Sequence, residues 1–260
     1  MVFGLHFAAG AFGRDLLKLI EEYGIVAEPI WVEGETRAAF IIAEERLHRH
    51  THTFVGDLAI GSVQRATFLS RYEQLLMQAR WALTGGLLAP DLPAAFFRTL
   101  AEMAHAAKIP ILVDAAREPL RECLPSQPEI VKLNQDEFGW TFGVQANDLA
   151  GLRRSARQVF AQYEMRRLVI TCGAESILGF TRAETCRALA PPQSVVNAAG
   201  AGAAASAALV WRLAEGDGWA DALRWTAAVS AASVLTEGTA DLRLRDVQRI
   251  LPEITVEIWN

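Results

Sequence analysis

The chain has 260 residues, 52% hydrophobic and 21% charged, with a formal net charge of -5. That balance supports a sizeable packed core and excludes a disordered or polybasic chain. Lys and Arg form no stripe, so no nucleic-acid partner is expected, and no apolar run reaches the roughly 18 residues of a membrane helix.

The N-terminus, Met-Val-Phe-Gly-Leu-His, has no basic flank, apolar segment and small-residue cleavage site, so no signal peptide is expected. Cys123, Cys172 and Cys186 are too few and too irregularly spaced for a disulfide framework or a zinc site. Reduced thiols in a cytoplasm are the expectation.

In chain order, 2–8 reads as a buried strand before a Gly-rich turn at Gly10 and Gly13, and 15–23 as a helix stopped by Gly24. Two β-prone runs, 30–32 and 38–43, flank Glu33-Gly34-Glu35-Thr36, and Gly34 predicts a small β-hairpin flap over 27–43. Residues 44–66 have no clear period and read as an irregular or edge segment. Helix is predicted over 68–79, 92–107, 149–162, 221–235 and 244–251, and strand over 81–83, 109–113, 130–133 and 167–171. A Gly/Ala segment after Pro191, Pro192 and the short run 194–196 opens a further long helix. The alternation predicts one α/β domain over 1–260 with a doubly wound, mostly parallel sheet flanked by helices. Ligands of such sheets sit beyond the carboxyl ends of the strands. The candidate positions are therefore Gly10, Thr84–Gly86, Asp114, Asn134, Thr171–Gly173 and Asn197–Gly202.

The most informative segment is Asn197-Ala-Ala-Gly200-Ala201-Gly202-Ala203. A Gly-rich turn at a helix start gathers backbone N–H groups at the positive end of the dipole, an anion hole for phosphate. Tight helix–strand packing explains the same glycines equally well. His48, His50 and His52 alternate; on a strand they would share a face, but the polar surroundings favour a solvated loop over a metal site. Trp211, Trp219 and Trp225 read as packing residues.

Gly34-Glu35-Thr36-Arg37, Lys132-Leu-Asn134-Gln-Asp-Glu137, Thr171-Cys-Gly173, Gly200-Ala201-Gly202 and Thr236-Glu-Gly238-Thr239, in this order, resemble the PfkB (ribokinase-like) carbohydrate kinase family. The flap motif favours its phosphosugar branch, the 1-phosphofructokinase and tagatose-6-phosphate kinase types. The resemblance implies a ribokinase-like fold and ATP-dependent phosphorylation of a sugar phosphate: fructose 1-phosphate, fructose 6-phosphate or tagatose 6-phosphate. It gives Arg37 the substrate phosphate, which a guanidinium fork suits; an exposed strand arginine is the plain alternative. It places Lys132, Asn134, Thr171 and Gly173 at the nucleotide, Asn134 and Glu137 at Mg2+, and Gly200, Ala201 and Gly202 at the transferred phosphoryl group. Asn134 and Glu137 read equally well as a capping pair at a helix start.

Three departures stand out. The family's Gly-Ala-Gly-Asp supplies the base that takes the sugar hydroxyl's proton; this chain has Ala203 there, with Ala198 and Ala205 also drifting from the pattern. General-base help is worth about 10²–10⁴ in rate. Gly86 stands where the family carries a phosphate-contacting serine. The family's first strand, early flap strands and Gly-Gly-x-x-x-Asn sugar turn are not found, and Met1 falls where its next strand begins. An exposed sheet edge or the flap would suit a homodimer. The expectation is an ATP- and magnesium-binding sugar-phosphate kinase with impaired turnover. The alternatives are a non-catalytic nucleotide- or phosphate-binding pseudokinase with a regulatory or scaffold role, and a structural remnant.

Overall fold

The computed structural model describes residues 1–44, 49–146 and 148–259. Packing groups the chain into two compact units: Met1–Gln78 with Ala89–Pro93, and Ala79–Leu88 with Ala94–Asn260.

The first unit opens with β1 (Phe3–Ala8), α1 (Gly10–Glu22) and β2 (Val26–Trp31), and the two strands pair in parallel. A parallel pair needs a crossover, which α1 supplies. β3 (Glu33–Gly34) pairs with β6 (Leu58–Ala59), and β4 (Ala38–Glu44) pairs antiparallel with β5 (Arg49–Val55). The helix α2 (Ser62–Leu76) packs on β1 and β2, with the Phe7 and Phe68 rings stacked at 4.8 Å.

This corrects the expected flap. The hairpin spans β4 and β5, not 27–43, because Val26–Trp31 is taken up by β1. Gly34 lies in β3, opposite Leu58, at φ +104° with its α-carbon against the Asp57 carbonyl, rather than in a hairpin turn. Residues 49–55, read as irregular, form a strand: Thr51, Thr53, Phe54 and Val55 have the β-branched or aromatic side chains that fit a pleated surface. His50 and His52 therefore lie on a strand and not in a loop, and His48 lies outside the described residues.

In the second unit the elements are β7 (Ala82–Gly85), α3 (Phe96–Ala106), β8 (Ile111–Asp114), α4 (Arg117–Cys123), β9 (Ile130–Asn134), α5 (Gln135–Phe142), α6 (Leu149–Gln162), β10 (Leu168–Thr171), β11 (Ile177–Phe180), β12 (Thr185–Leu189), α7 (Ala201–Ala214), α8 (Trp219–Ser233), α9 (Leu244–Ile250) and β13 (Thr255–Trp259). The seven strands β7 to β13 form one sheet in sequential order. β7–β10 are parallel, and β11, β12 and β13 extend the sheet as an antiparallel meander, so five of seven strands point the same way.

Leu112, Ile130 and Val169 face a core shared with Ala204, Ala208 and Leu209 of α7 and with Ala222, Leu223 and Ala228 of α8. Their neighbours Ile111, Val113, Val131 and Ile170 point the other way and are equally buried, so helices cover both faces. The Ala-rich stretch is thus a close-packing surface between α7 and α8. At its far end Trp211 meets Trp225 edge-on, with ring centroids 5.4 Å apart. The Arg212 guanidinium lies over both rings and bonds both Asp217 oxygens at 2.7 and 2.8 Å. The three cysteines are free and buried, and burial pushes the Cys123, Cys172 and Cys186 thiols up to about 11, 12 and 11.

Candidate active site

Strand periodicity assembles the site. Side chains alternate between faces, so a residue two positions after one in the α7-facing core points to the same side. On β8, Leu112 is followed in this way by Asp114; on β9, Ile130 by Lys132 and Asn134; on β10, Val169 by Thr171. Register sets Asp114 beside Lys132, and Asn134 beside Thr171. Three strands thus end in polar groups on one face, at the carboxyl edge where α/β sheets hold ligands.

Above them lies the start of α7. Gly200 adopts φ +84°, and a Cβ there would meet the Ala240 nitrogen at 2.5 Å. Glycine is required by both conformation and space. The turn before it is tied down: Asn197 accepts from the Ala199 amide at 2.9 Å, donates to the Glu237 carbonyl at 2.9 Å, and the Ala240 amide donates to the Ala199 carbonyl at 3.2 Å. The Thr236–Thr239 motif therefore braces the Gly200 turn. The Gly202 and Ala203 amides donate to no oxygen among the described residues, and no acidic residue sits in the first turn of α7. Two free amides at a positive helix end are chemically suited to receive an anion.

Lys132 completes it. Its side chain is only 4% exposed, and its Nζ donates to Asp114 Oδ2 at 2.8 Å. The same Nζ lies 3.2 Å from where a Cβ on Gly202 would be. A bare glycine lets the ammonium sit against the helix start. Ser206 Oγ, one turn further along α7, donates to the same Asp114 oxygen at 2.7 Å and approaches the Gly202 carbonyl at 3.1 Å. Ser206 escaped sequence reading because its partner lies 92 residues away; its only signal was its place four residues after Gly202.

Asn134 and Glu137 form a full capping box on α5: the Asn134 side chain accepts from the Glu137 amide at 2.9 Å, and Glu137 Oε2 accepts from the Asn134 amide at 2.7 Å. The capping reading is therefore realised, with Glu137 Oε1 left over. Among the described residues no group of three His, Cys, Asp or Glu is placed to hold a metal. These donors fit magnesium only in the manner usual for that ion, through nucleotide phosphates and water with one carboxylate nearby. Thr171 ends β10, and Gly173 follows at φ +57° in an open turn, closed by the Cys172 amide on the Ser176 carbonyl. The Gly86 amide donates to the Asp114 carbonyl at 3.0 Å, and no atom lies within 4 Å of where its Cβ would be. Ala203 is exposed on the first turn of α7, with a methyl group where a proton acceptor was expected.

Lys132, Asn134, Thr171, Gly200, Ala201 and Gly202 thus come together in the second unit. Arg37 belongs to the first unit. There Glu35 accepts from the Ala11 and Phe12 amides at 3.1 and 2.8 Å, and Thr36 Oγ1 accepts from the Ala9 amide at 2.8 Å. Two residues of the flap motif pin it to the start of α1, and the exposed Arg37 guanidinium lies over the Phe54 ring.

A family model described as pfkB family carbohydrate kinase matches residues 7–245. The chain belongs to that family. It is 24% identical over 252 residues to the ATP-dependent 6-phosphofructokinase isozyme 2 of Escherichia coli, covering 94% of this chain and 79% of that protein. To the D-tagatose-1-phosphate kinase of Bacillus licheniformis it is 25% identical over 243 residues, covering 93% of this chain and 78% of that one. Among solved structures, phosphofructokinase-2 of E. coli superposes with a TM-score of 0.85 at 21% identity, over 96% of this chain and 81% of that one. An Arabidopsis thaliana ribokinase superposes at 0.77 with 16% identity, over 96% of this chain and 81% of that one. The ribokinase-like α/β fold follows from these likenesses.

Proposed function

We propose that this chain is a sugar-phosphate kinase of the phosphofructokinase-like branch that binds Mg-ATP and a hexose phosphate and turns over slowly. The observation that carries the reading is the convergence of the buried Lys132 ammonium with the free Gly202 and Ala203 amides, a receptor built for a polyphosphate. Magnesium supplies charge neutralisation of the nucleotide phosphates when bound. Lys132 and the α7 amides hold the phosphoryl group, Thr171 and Gly173 line the nucleotide, and Arg37 takes the substrate phosphate. Phosphoryl transfer rests largely on positioning and electrostatics, so turnover without a base is slow rather than forbidden.

Ala203 and Gly86 favour a second reading, a non-catalytic nucleotide- or phosphate-binding pseudokinase, since each lacks the side chain that the family pattern uses. A homodimer through the β4–β5 hairpin belongs to the proposal: Phe40 and Ile42 are both more than half exposed and share a face. Buried free thiols suit a reducing cytoplasm, and no described helix is long and apolar enough to cross a membrane.

Calorimetric titration with Mg-ATP, followed by ADP release over fructose 1-phosphate, fructose 6-phosphate and tagatose 6-phosphate, decides between the readings. Sugar-dependent release above the ATPase background is expected. Binding without it leaves the pseudokinase, and no binding removes both.

A further inference from the structure

Lys132 is a buried cation with a single acceptor among the described residues, and that acceptor is shared. Asp114 Oδ2 receives both Lys132 Nζ and Ser206 Oγ. Asp114 is on β8, Lys132 on β9 and Ser206 on α7, so one carboxylate oxygen ties three elements at a point. Ser206 is 1% exposed and has no solvent role. Its hydroxyl hydrogen goes to the shorter and charged acceptor, Asp114, while its amide continues the helix to Gly202.

Geometry makes this tie consequential. Lys132 has a long, flexible stem, and Asp114 alone could hold the ammonium at several heights along the sheet edge. Ser206 fixes the Asp114 carboxylate relative to α7, the element that carries the free amides. The register between the ammonium and those amides is thereby set from within the helix.

From this we infer that Ser206 is a positioning residue for polyphosphate binding, acting through Asp114 to hold Lys132 against the start of α7. The inference rests on the nucleotide reading above and deepens it: the site holds its ligand through the polyphosphate charge, by an ammonium whose place is set from within α7. Ser206 touches no ligand itself. Its loss loosens the ammonium and weakens polyphosphates, while contacts to the nucleoside are spared.

The test is calorimetric titration of the full chain and its Ser206→Ala and Ser206→Thr variants with inorganic tripolyphosphate, Mg-ADP and adenosine. Hydrogen bonds to charged groups are worth enough that Ser206→Ala should weaken tripolyphosphate and Mg-ADP about 10-fold. Ser206→Thr, which keeps the hydroxyl, should restore most of it. Adenosine competition should be unchanged, which general damage to the fold would not give, and alanine is well accommodated in this Ala-rich helix. Ser206→Ala binding tripolyphosphate as the parent does overturns the inference alone. Equal weakening of adenosine and tripolyphosphate also overturns it, by showing general damage. A parent chain that binds neither Mg-ADP nor tripolyphosphate overturns the nucleotide reading itself, and this inference with it.

Discussion

Two helix starts in this molecule are built from nearly the same letters and finished in opposite ways. α1 begins at Ala9-Gly10-Ala11-Phe12-Gly13, and α7 at Ala199-Gly200-Ala201-Gly202-Ala203. Each has a glycine at positive φ, each lacks a side-chain N-cap, and neither carries an acidic residue in its first turn. At α1 the Glu35 carboxylate occupies the amides of Ala11 and Phe12. At α7 the corresponding amides are left open, and Lys132 is brought underneath. A glycine-rich helix start is therefore only a socket. Whether it is structural or ligand-binding depends on whether the chain supplies its own anion, and that anion comes from a different segment.

The strongest way to sharpen the contrast is to give α7 an acidic side chain. Ala203→Asp should raise sugar-dependent ADP release by about 10²–10⁴, the usual worth of a general base. The same charge should weaken tripolyphosphate by a few fold, because it competes with the ligand at the positive helix end. Release unchanged by Ala203→Asp would mean that the defect lies elsewhere in the site.

At the closed start, Gly10 is the point of failure. It adopts φ +63°, and a Cβ there would lie 2.2 Å from the Glu35 carboxylate. Gly10→Ala should cost about 3 kcal/mol from strain and crowding together, read as a shift in the urea midpoint. Glu35→Ala removes the anion but not the glycine, and should cost about 1–2 kcal/mol in the same titration. If Glu35→Ala is neutral, the amides of α1 are as tolerant of exposure as those of α7, and the contrast collapses.

The smallest effect is acid dependence in the first unit. The Arg71 guanidinium hydrogen-bonds Glu28 and holds its carboxyl below the usual range. A depressed folded pKa stabilises above the unfolded value and is lost as pH falls through the folded one. The stability gap between the parent and Glu28→Gln should therefore close under acid, in melts taken from neutral pH downward.

Much of the second unit could be read from sequence because its strands obey one rule. Ile130, Lys132 and Asn134 alternate into the same face, and so do Leu112 with Asp114 and Val169 with Thr171. A short apolar run ending in a polar residue carries both the strand and the site. β11, β12 and β13 were not legible: each is four or five residues long, and their pairing is a meander that no single segment announces. Asn134 and Glu137 stayed ambiguous because a capping box and a metal-positioning pair use the same residues at the same spacing. The hairpin was misplaced because Gly34 signals a turn without saying which strands it joins. Asp114 stood out as a strand end, but its tie to Ser206 depends on a contact that local sequence cannot express.

The indole pair at the far end of α7 gives the molecule a private optical signature. Six of the seven tryptophans belong to the second unit, and Trp31 alone to the first. Trp211 and Trp225, crossed at 74° within van der Waals reach, should couple as an exciton pair and give a split circular-dichroism band. That band reports the second unit alone, while the emission of a chain reduced to Trp31 reports the first. The melting of each unit can therefore be followed without labels, the second unit in the parent chain and the first in the variant that keeps Trp31 alone.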